Sequence, residues 1–129
     1  MEKILSQPKC QRIGFLLLDN FTMIALASAI DPLRMANQLS SQKLYEWVTF
    51  SEDGQPVLSS NGLNVSTDHD LSVNPDLDVL IVVGGVDITN SYTAGQVSWL
   101  KKLCSNGIHL GGICTGAYVL AAARLMDDR

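Results

Sequence analysis

Two short runs constrain this chain more than anything else in it. Ile13-Gly14-Phe15-Leu16-Leu17-Leu18 and Val79-Leu80-Ile81-Val82-Val83 are apolar without alternation, and each stops abruptly, the first at Asp19-Asn20 and the second at Gly84-Gly85. A strand with one wet face alternates, whereas a strand covered on both faces reads as a continuous apolar run, as in a parallel sheet. Ile108 to Ile113 reads as a third such strand, followed at once by Cys114-Thr115-Gly116-Ala117 and an Ala-rich helix to about Leu125. Between the strands the period changes: Met23, Leu26, Ile30, Leu33 and Ala36 fall on one helical face. Val97, Leu100, Lys101 and Cys104 have the same spacing, and Asn106-Gly107 supplies a left-handed stop. Strand alternating with helix predicts a doubly wound, mostly parallel sheet in three layers.

Local chemistry adds detail. Pro32 cannot donate to the preceding turn, so Asp31 is expected to cap a renewed helical segment beginning at Pro32 and reaching about Leu39, with a kink or break near Ile30. Tyr45 to Phe50 alternates like a strand. Val57 to Ser60 faces Leu63 to Ser66 across Asn61-Gly62, a pair that favours a tight two-residue hairpin, expected to decorate a sheet edge. With no repeats or Pro/Ser-rich linkers, residues 1–129 are expected to form one domain. The chain stops a few residues after a helix, where a doubly wound sheet would normally gain another strand. A truncated piece with an uncovered, self-associating edge is therefore expected.

Composition excludes several functions. A formal charge of −4 and the lack of a Lys/Arg cluster argue against direct contact with a nucleic-acid backbone, so any DNA contact would fall to a separate domain. Ser6, Gln7 and Pro8 interrupt the stretch where a signal peptide needs apolar residues, and no run approaches 18 apolar residues. The expectation is a cytoplasmic protein with no membrane partner. Cys10, Cys104 and Cys114 lack metal-ligand spacing and are odd in number, so free thiols are expected, without metal or other cofactor.

In an open α/β sheet the ligand crevice lies beyond the carboxyl ends of the strands. The expected ligand-binding residues are therefore Asp19, Asn20, Gly84, Gly85, Asp87, Cys114 and Thr115. Gly112-Ile113-Cys114-Thr115-Gly116 has the form of a nucleophile elbow with Cys in place of Ser. A thiol at a helix N-terminus lies beside unpaired N–H groups that favour an anion, with the amides of Thr115 and of Gly84-Gly85 as oxyanion donors. A cysteine nucleophile usually works with an oriented base. His109 lies five residues upstream on the same strand, roughly 16 Å away at about 3.3 Å per residue, and His69 sits in the polar stretch Thr67-Asp68-His69-Asp70. Neither completes a catalytic set. Gly84-Gly85 lacks the Lys-Ser/Thr of a phosphate loop, which argues against a nucleotide.

Asp78 to Gly85, together with Gly111-Gly112-Ile113-Cys114-Thr115-Gly116-Ala117, resembles the ThiJ/PfpI branch of the class I glutamine amidotransferase-like superfamily. Ile13 to Leu18 followed by Asp31-Pro32-Leu33-Arg34-Met35-Ala36-Asn37 is similar, more narrowly, to the N-terminal domain of AraC-family regulators of the GlxA/ArgR type. The resemblance implies a flavodoxin-like fold. It also implies a ligand-sensing, dimer-forming domain that binds a small nitrogenous effector without catalysis, joined in the regulators to a helix-turn-helix domain. In catalytic relatives a Glu after the first strand approaches the elbow cysteine and a His follows it. Aligned on Asp31 and Arg34, the Glu position falls near Ala25, and no His follows Cys114. The alternative is a PfpI-like hydrolase, hydratase or glyoxalase-type enzyme using Cys114.

Overall fold

The structure, a computed structural model, describes residues 10–125. The readings of residues 1–9 and 126–129 lie outside them. In chain order the elements are β1 (Gln11–Leu17), α1 (Met23–Ser40), β2 (Tyr45–Phe50), β3 (Val57–Leu58), β4 (Asn64–Val65), β5 (Val79–Val83), α2 (Ala94–Ser105), β6 (His109–Ile113) and α3 (Gly116–Ala122). Four strands form one parallel sheet in the order β2-β1-β5-β6. This is the expected flavodoxin-like α/β arrangement, with the chain winding outward in both directions from β1 and β5.

Alternate residues of β1 serve different layers. Leu16 and Leu18 pack with Leu80, Val82, Trp99, Leu100, Leu103, Val119 and Leu120 on the α2–α3 side. Phe15 and Leu17 pack with Phe21, Leu26 and Val83 on the α1 side. Phe15, Leu16 and Leu18 are fully buried, each burial stabilising by about 1.5–3 kcal/mol. The two-faced burial inferred from the apolar runs holds for β1 and not throughout. Val79 and Ile81 in β5 are only partly buried, and so are Leu110 to Ile113 in β6. A Cβ built on Gly111 would meet nothing within 4 Å, so the face of β6 opposite α3 is open at Gly111, while Ile113 on the same face packs against the α1-side cluster.

Two local expectations are corrected. Helix α1 runs through Pro32 without a break, and Asp31 is an interior residue whose carboxylate lies 3.8 Å from the Arg34 guanidinium. Pro32 is exposed, as is Ser28, whose carbonyl loses its helical donor on a side open to solvent. Buried Leu26, with partly buried Met23, Ile30 and Leu33, keeps the helix on the sheet. The hairpin, second, does not lie at an edge. Its strands pair Val57 with Val65 and Leu58 with Asn64, and Ser59 N donates to Leu63 O. The connection is therefore three residues, one longer than expected, with Gly62 at φ 91° taking the left-handed position. Asn20 N donates to Leu58 O and Ser60 N to Phe21 O, which fastens the hairpin over the carboxyl end of β1.

Helix α2 begins with a capping box: Thr93 Oγ1 accepts from Gln96 N, and Gln96 Oε1 accepts from Thr93 N. It ends as Asn106-Gly107 implied. Gly107 has φ 87°, its N–H reaches Cys104 O, and Ile108 N reaches Leu103 O, a Schellman pair that turns the chain directly into β6.

Candidate ligand site at the strand-to-helix elbow

Each of the strands β1, β5 and β6 is followed within a few residues by a non-glycine residue in the left-handed region: Asn20 at φ 63°, Asp87 at φ 58° and Cys114 at φ 55°. Asn and Asp tolerate this conformation; for Cys it costs on the order of 1–3 kcal/mol, a strain held only where the surroundings over-determine it. At Cys114 the surroundings are specific. A Cβ on Gly116 would lie 2.0 Å from Val82 O, one on Gly112 2.4 Å from Ala117 N, and one on Gly84 2.6 Å from Gly116 N. Three glycines thus let α3 start directly against β5 and β6. The chain must turn sharply at Cys114, which leaves this side chain exposed.

The loops after β1 and β5 close on the same place. Thr22 N donates to Gly84 O at 3.0 Å and Val86 N to Asn20 O at 3.1 Å, while a Cβ on Gly85 would lie 2.1 Å from Asn20 O. Thr115 Oγ1 donates to Gly85 O at 2.8 Å, tying the elbow to the β5 loop. Asn20, Gly84, Gly85, Cys114 and Thr115 are therefore stitched into one cluster. Asp87 stands on its rim, exposed, its Oδ1 accepting from Asn90 Nδ2 at 3.1 Å across the 3-10 turn Ile88–Asn90. Asp19 is not part of this cluster. It lines a separate cavity between the carboxyl ends of β1 and β2 and the start of α2.

One residue of the cluster escaped the sequence reading. Thr22, at the N-cap of α1, makes no side-chain cap; its Oγ1 lies 3.3 Å from Cys114 Sγ. A Thr opening a helix directly after a strand end is a signal, because an N-cap hydroxyl normally serves its own helix. His69 packs on the Phe50 ring at 5.7 Å beyond the end of β2, and His109 begins β6 at the far end from Cys114. Among the described residues no group of three or more His, Cys, Asp or Glu side chains is placed to hold a metal ion, and no helix is long and apolar enough to cross a membrane.

A parallel four-stranded sheet carrying a strained, exposed cysteine at the turn from β6 into α3 defines a flavodoxin-like domain of the elbow-cysteine class. The chain belongs to the DJ-1/PfpI family, whose model matches residues 11–129. It is 51% identical over 117 residues to the HTH-type transcriptional regulator GbdR of Pseudomonas aeruginosa, covering 91% of this chain and 32% of that protein. With the HTH-type transcriptional regulator CdhR of the same species it shares 45% identity over 119 residues, 92% of this chain and 35% of the relative. The chain thus spans about a third of the length of these curated relatives. A crystal structure of an AraC family transcriptional regulator from Pseudomonas putida superposes with a TM-score of 0.80 at 32% identity, covering 92% of this chain and 63% of that one.

Proposed function

We propose that this chain is the N-terminal, ligand-sensing and dimer-forming domain of an AraC-family transcription regulator. The observation that carries the reading is the similarity to HTH-type regulators, 51% and 45% identical along nearly all of the chain. In this reading the elbow cluster of Asn20, Gly84, Gly85, Cys114 and Thr115 binds a small nitrogenous metabolite. The first-turn amides of a helix meet an anionic group such as a carboxylate. Asp87 on the rim faces the cationic end. The side chain hydrogen-bonded to the thiol is that of Thr22, whose hydroxyl is not an acid or base at neutral pH, which supports recognition over proton transfer. DNA contact falls to a helix-turn-helix part outside this chain, in keeping with the formal charge of −4 here.

A thermal-shift screen of amino acids and quaternary amines against the full chain tests this. Binding to the folded state alone stabilises by about 2.7 kcal/mol at a hundredfold excess over Kd. Compounds whose shift survives Cys114→Ser and vanishes in a folded Thr115→Trp variant are the expected outcome. If no compound shifts the transition, or if Thr115→Trp leaves the shifts intact, the elbow is not the effector site.

A further inference from the structure

One side of α1 is accounted for by the sheet, against which Leu26 packs with Met23, Ile30 and Leu33. The outer side is unusual, because the wet face of a surface helix is normally charged. Across its 18 residues α1 carries two charged side chains, Asp31 and Arg34. Ile24 is 72% exposed and Leu39 82%, and Met35 between them is exposed too. At about 100° per residue, Ile24, Ser28, Asp31, Met35 and Leu39 fall within an arc of roughly 80°, and all five are exposed. The hairpin lengthens this stripe. Val57 and Val65 pack with Phe21 and Leu26 beside the first turns of the helix, and Leu58 and Leu63 are left exposed. Five of the seven large apolar side chains exposed among the described residues thus belong to α1 or to the hairpin at its N-terminal end. Scattered exposed apolar residues are ordinary, whereas a concentration of them marks a contact surface.

The order of the stripe is self-complementary. Ile24 and Leu39 stand equally far from a point between Asp31 and Pro32, and so do Ser28 and Met35. Two copies of α1 laid antiparallel about a two-fold axis at that point set Ile24 of each against Leu39 of the other. At a rise of about 1.5 Å per residue, Arg34 then lies roughly 3 Å along the axis from Asp31 of the second copy and on the same side of the seam. The only cation and the only anion of each helix meet their opposites, and the stripe is neutral on a chain whose formal charge is −4.

We propose that the outer face of α1, extended by the hairpin, is the surface through which two copies of this chain associate. The inference rests on the dimer-forming part of the reading above and assigns it a surface and an axis. One helix and one hairpin per copy bury less than the roughly 1,600 Å² of a standard interface, so the dimer is reversible and concentration-dependent.

Sedimentation equilibrium of the full chain between about 10 μM and 1 mM covers the affinities of a small interface, and the parent is expected to pass from monomer to dimer in that range. Leu39→Glu, Asp31→Arg and Arg34→Asp each alter an exposed side chain. Each is expected to weaken the dimer at least tenfold, because like charges facing each other across a contact oppose it, with the circular dichroism spectrum of the dilute chain unchanged. Asp31→Arg leaves only cations at the centre of the contact and Arg34→Asp only anions. These two variants, monomeric alone, are therefore expected to dimerise with each other when mixed, which requires antiparallel pairing through α1. The proposal is overturned by a parent chain that stays monomeric, by association that persists unchanged in the three variants, or by a mixture that stays monomeric. Persistent association would keep the dimer-forming reading and remove α1 as its surface. The elbow screen reads ligand shifts in the parent chain, so a monomeric parent that still responds to elbow compounds would lose the dimer and keep the sensor.

Discussion

Gly111 and Gly112 are neighbours in β6 that a propensity argument cannot tell apart, and the structure separates them sharply. A Cβ on Gly112 would lie 2.4 Å from Ala117 N and 2.7 Å from Gly116 C, backbone atoms of α3 that cannot rotate aside. A Cβ on Gly111 would meet nothing within 4 Å. Alanine in a strand is better than glycine by roughly 0.5–1 kcal/mol through the unfolded chain, and both variants gain it. Overpacking of a close-packed interface costs about 1–3 kcal/mol, and Gly112→Ala alone incurs it. The stabilities should thus differ by about 2 kcal/mol, with Gly111→Ala at or slightly above the parent. At about 4 °C per kcal/mol for a chain between the small and large size classes, the gap in Tm is roughly 8 °C. Urea unfolding at constant m-value, followed by circular dichroism, measures it directly. A Gly112→Ala variant as stable as Gly111→Ala would refute the close seating of α3 on β6, and with it the reason the chain turns at Cys114.

Further predictions bear on the thiols, the elbow and the sheet edge. Cys114 is exposed and Cys10 and Cys104 are partly buried, so mass-resolved alkylation should modify Cys114 first; equal rates at all three would contradict the exposed elbow. Thr22→Val removes one neutral hydrogen bond, worth about 0.5–1.5 kcal/mol. It should change the alkylation rate of Cys114 and leave Cys10 and Cys104 alone, and an unchanged Cys114 rate would deny the contact. Glu46 is held below the usual carboxylate range by a hydrogen bond and charge from Lys43, 2.5 Å away. Its stabilising contribution is complete above the unfolded-state value and is lost as pH falls through the lowered folded value. In a carboxylate NMR titration Lys43→Ala should raise the Glu46 midpoint, and an unmoved midpoint would refute the pairing.

The strands were legible because burial writes itself into sequence as apolar runs, and the left-handed stop at Gly107 because few residues adopt its φ. Pro32 does not end α1 because the packing of Leu26, with Met23, Ile30 and Leu33, against the sheet outweighs the one lost hydrogen bond, a tertiary effect that local proline rules do not contain. The hairpin loop differed by one residue because Asn61-Gly62 fits a two-residue turn or the end of a three-residue one equally well. The capping box is written in the sequence as Thr93-x-x-Gln96, the spacing that pairs an N-cap hydroxyl with an N3 amide. Less could be read of the site. Asp19 follows β1 as Asn20 does, yet Asp19 lines the cavity at the carboxyl ends of β1 and β2 while Asn20 is hydrogen-bonded to the hairpin and to the β5 loop, a division that no local pattern announces. Thr22 reaches Cys114 across 92 positions of sequence, a meeting set by the sheet order and not by local pattern.

The central claim is that the elbow recognises a metabolite without transforming it. The most direct measurement follows the strongest-binding compound of the elbow screen by NMR during prolonged incubation with the full chain and with Cys114→Ala. Recovery of the compound unchanged from both samples, with saturable binding to the parent chain, is the predicted result. Consumption of the compound by the parent chain, abolished in Cys114→Ala, would contradict it and make the elbow cysteine a catalytic nucleophile.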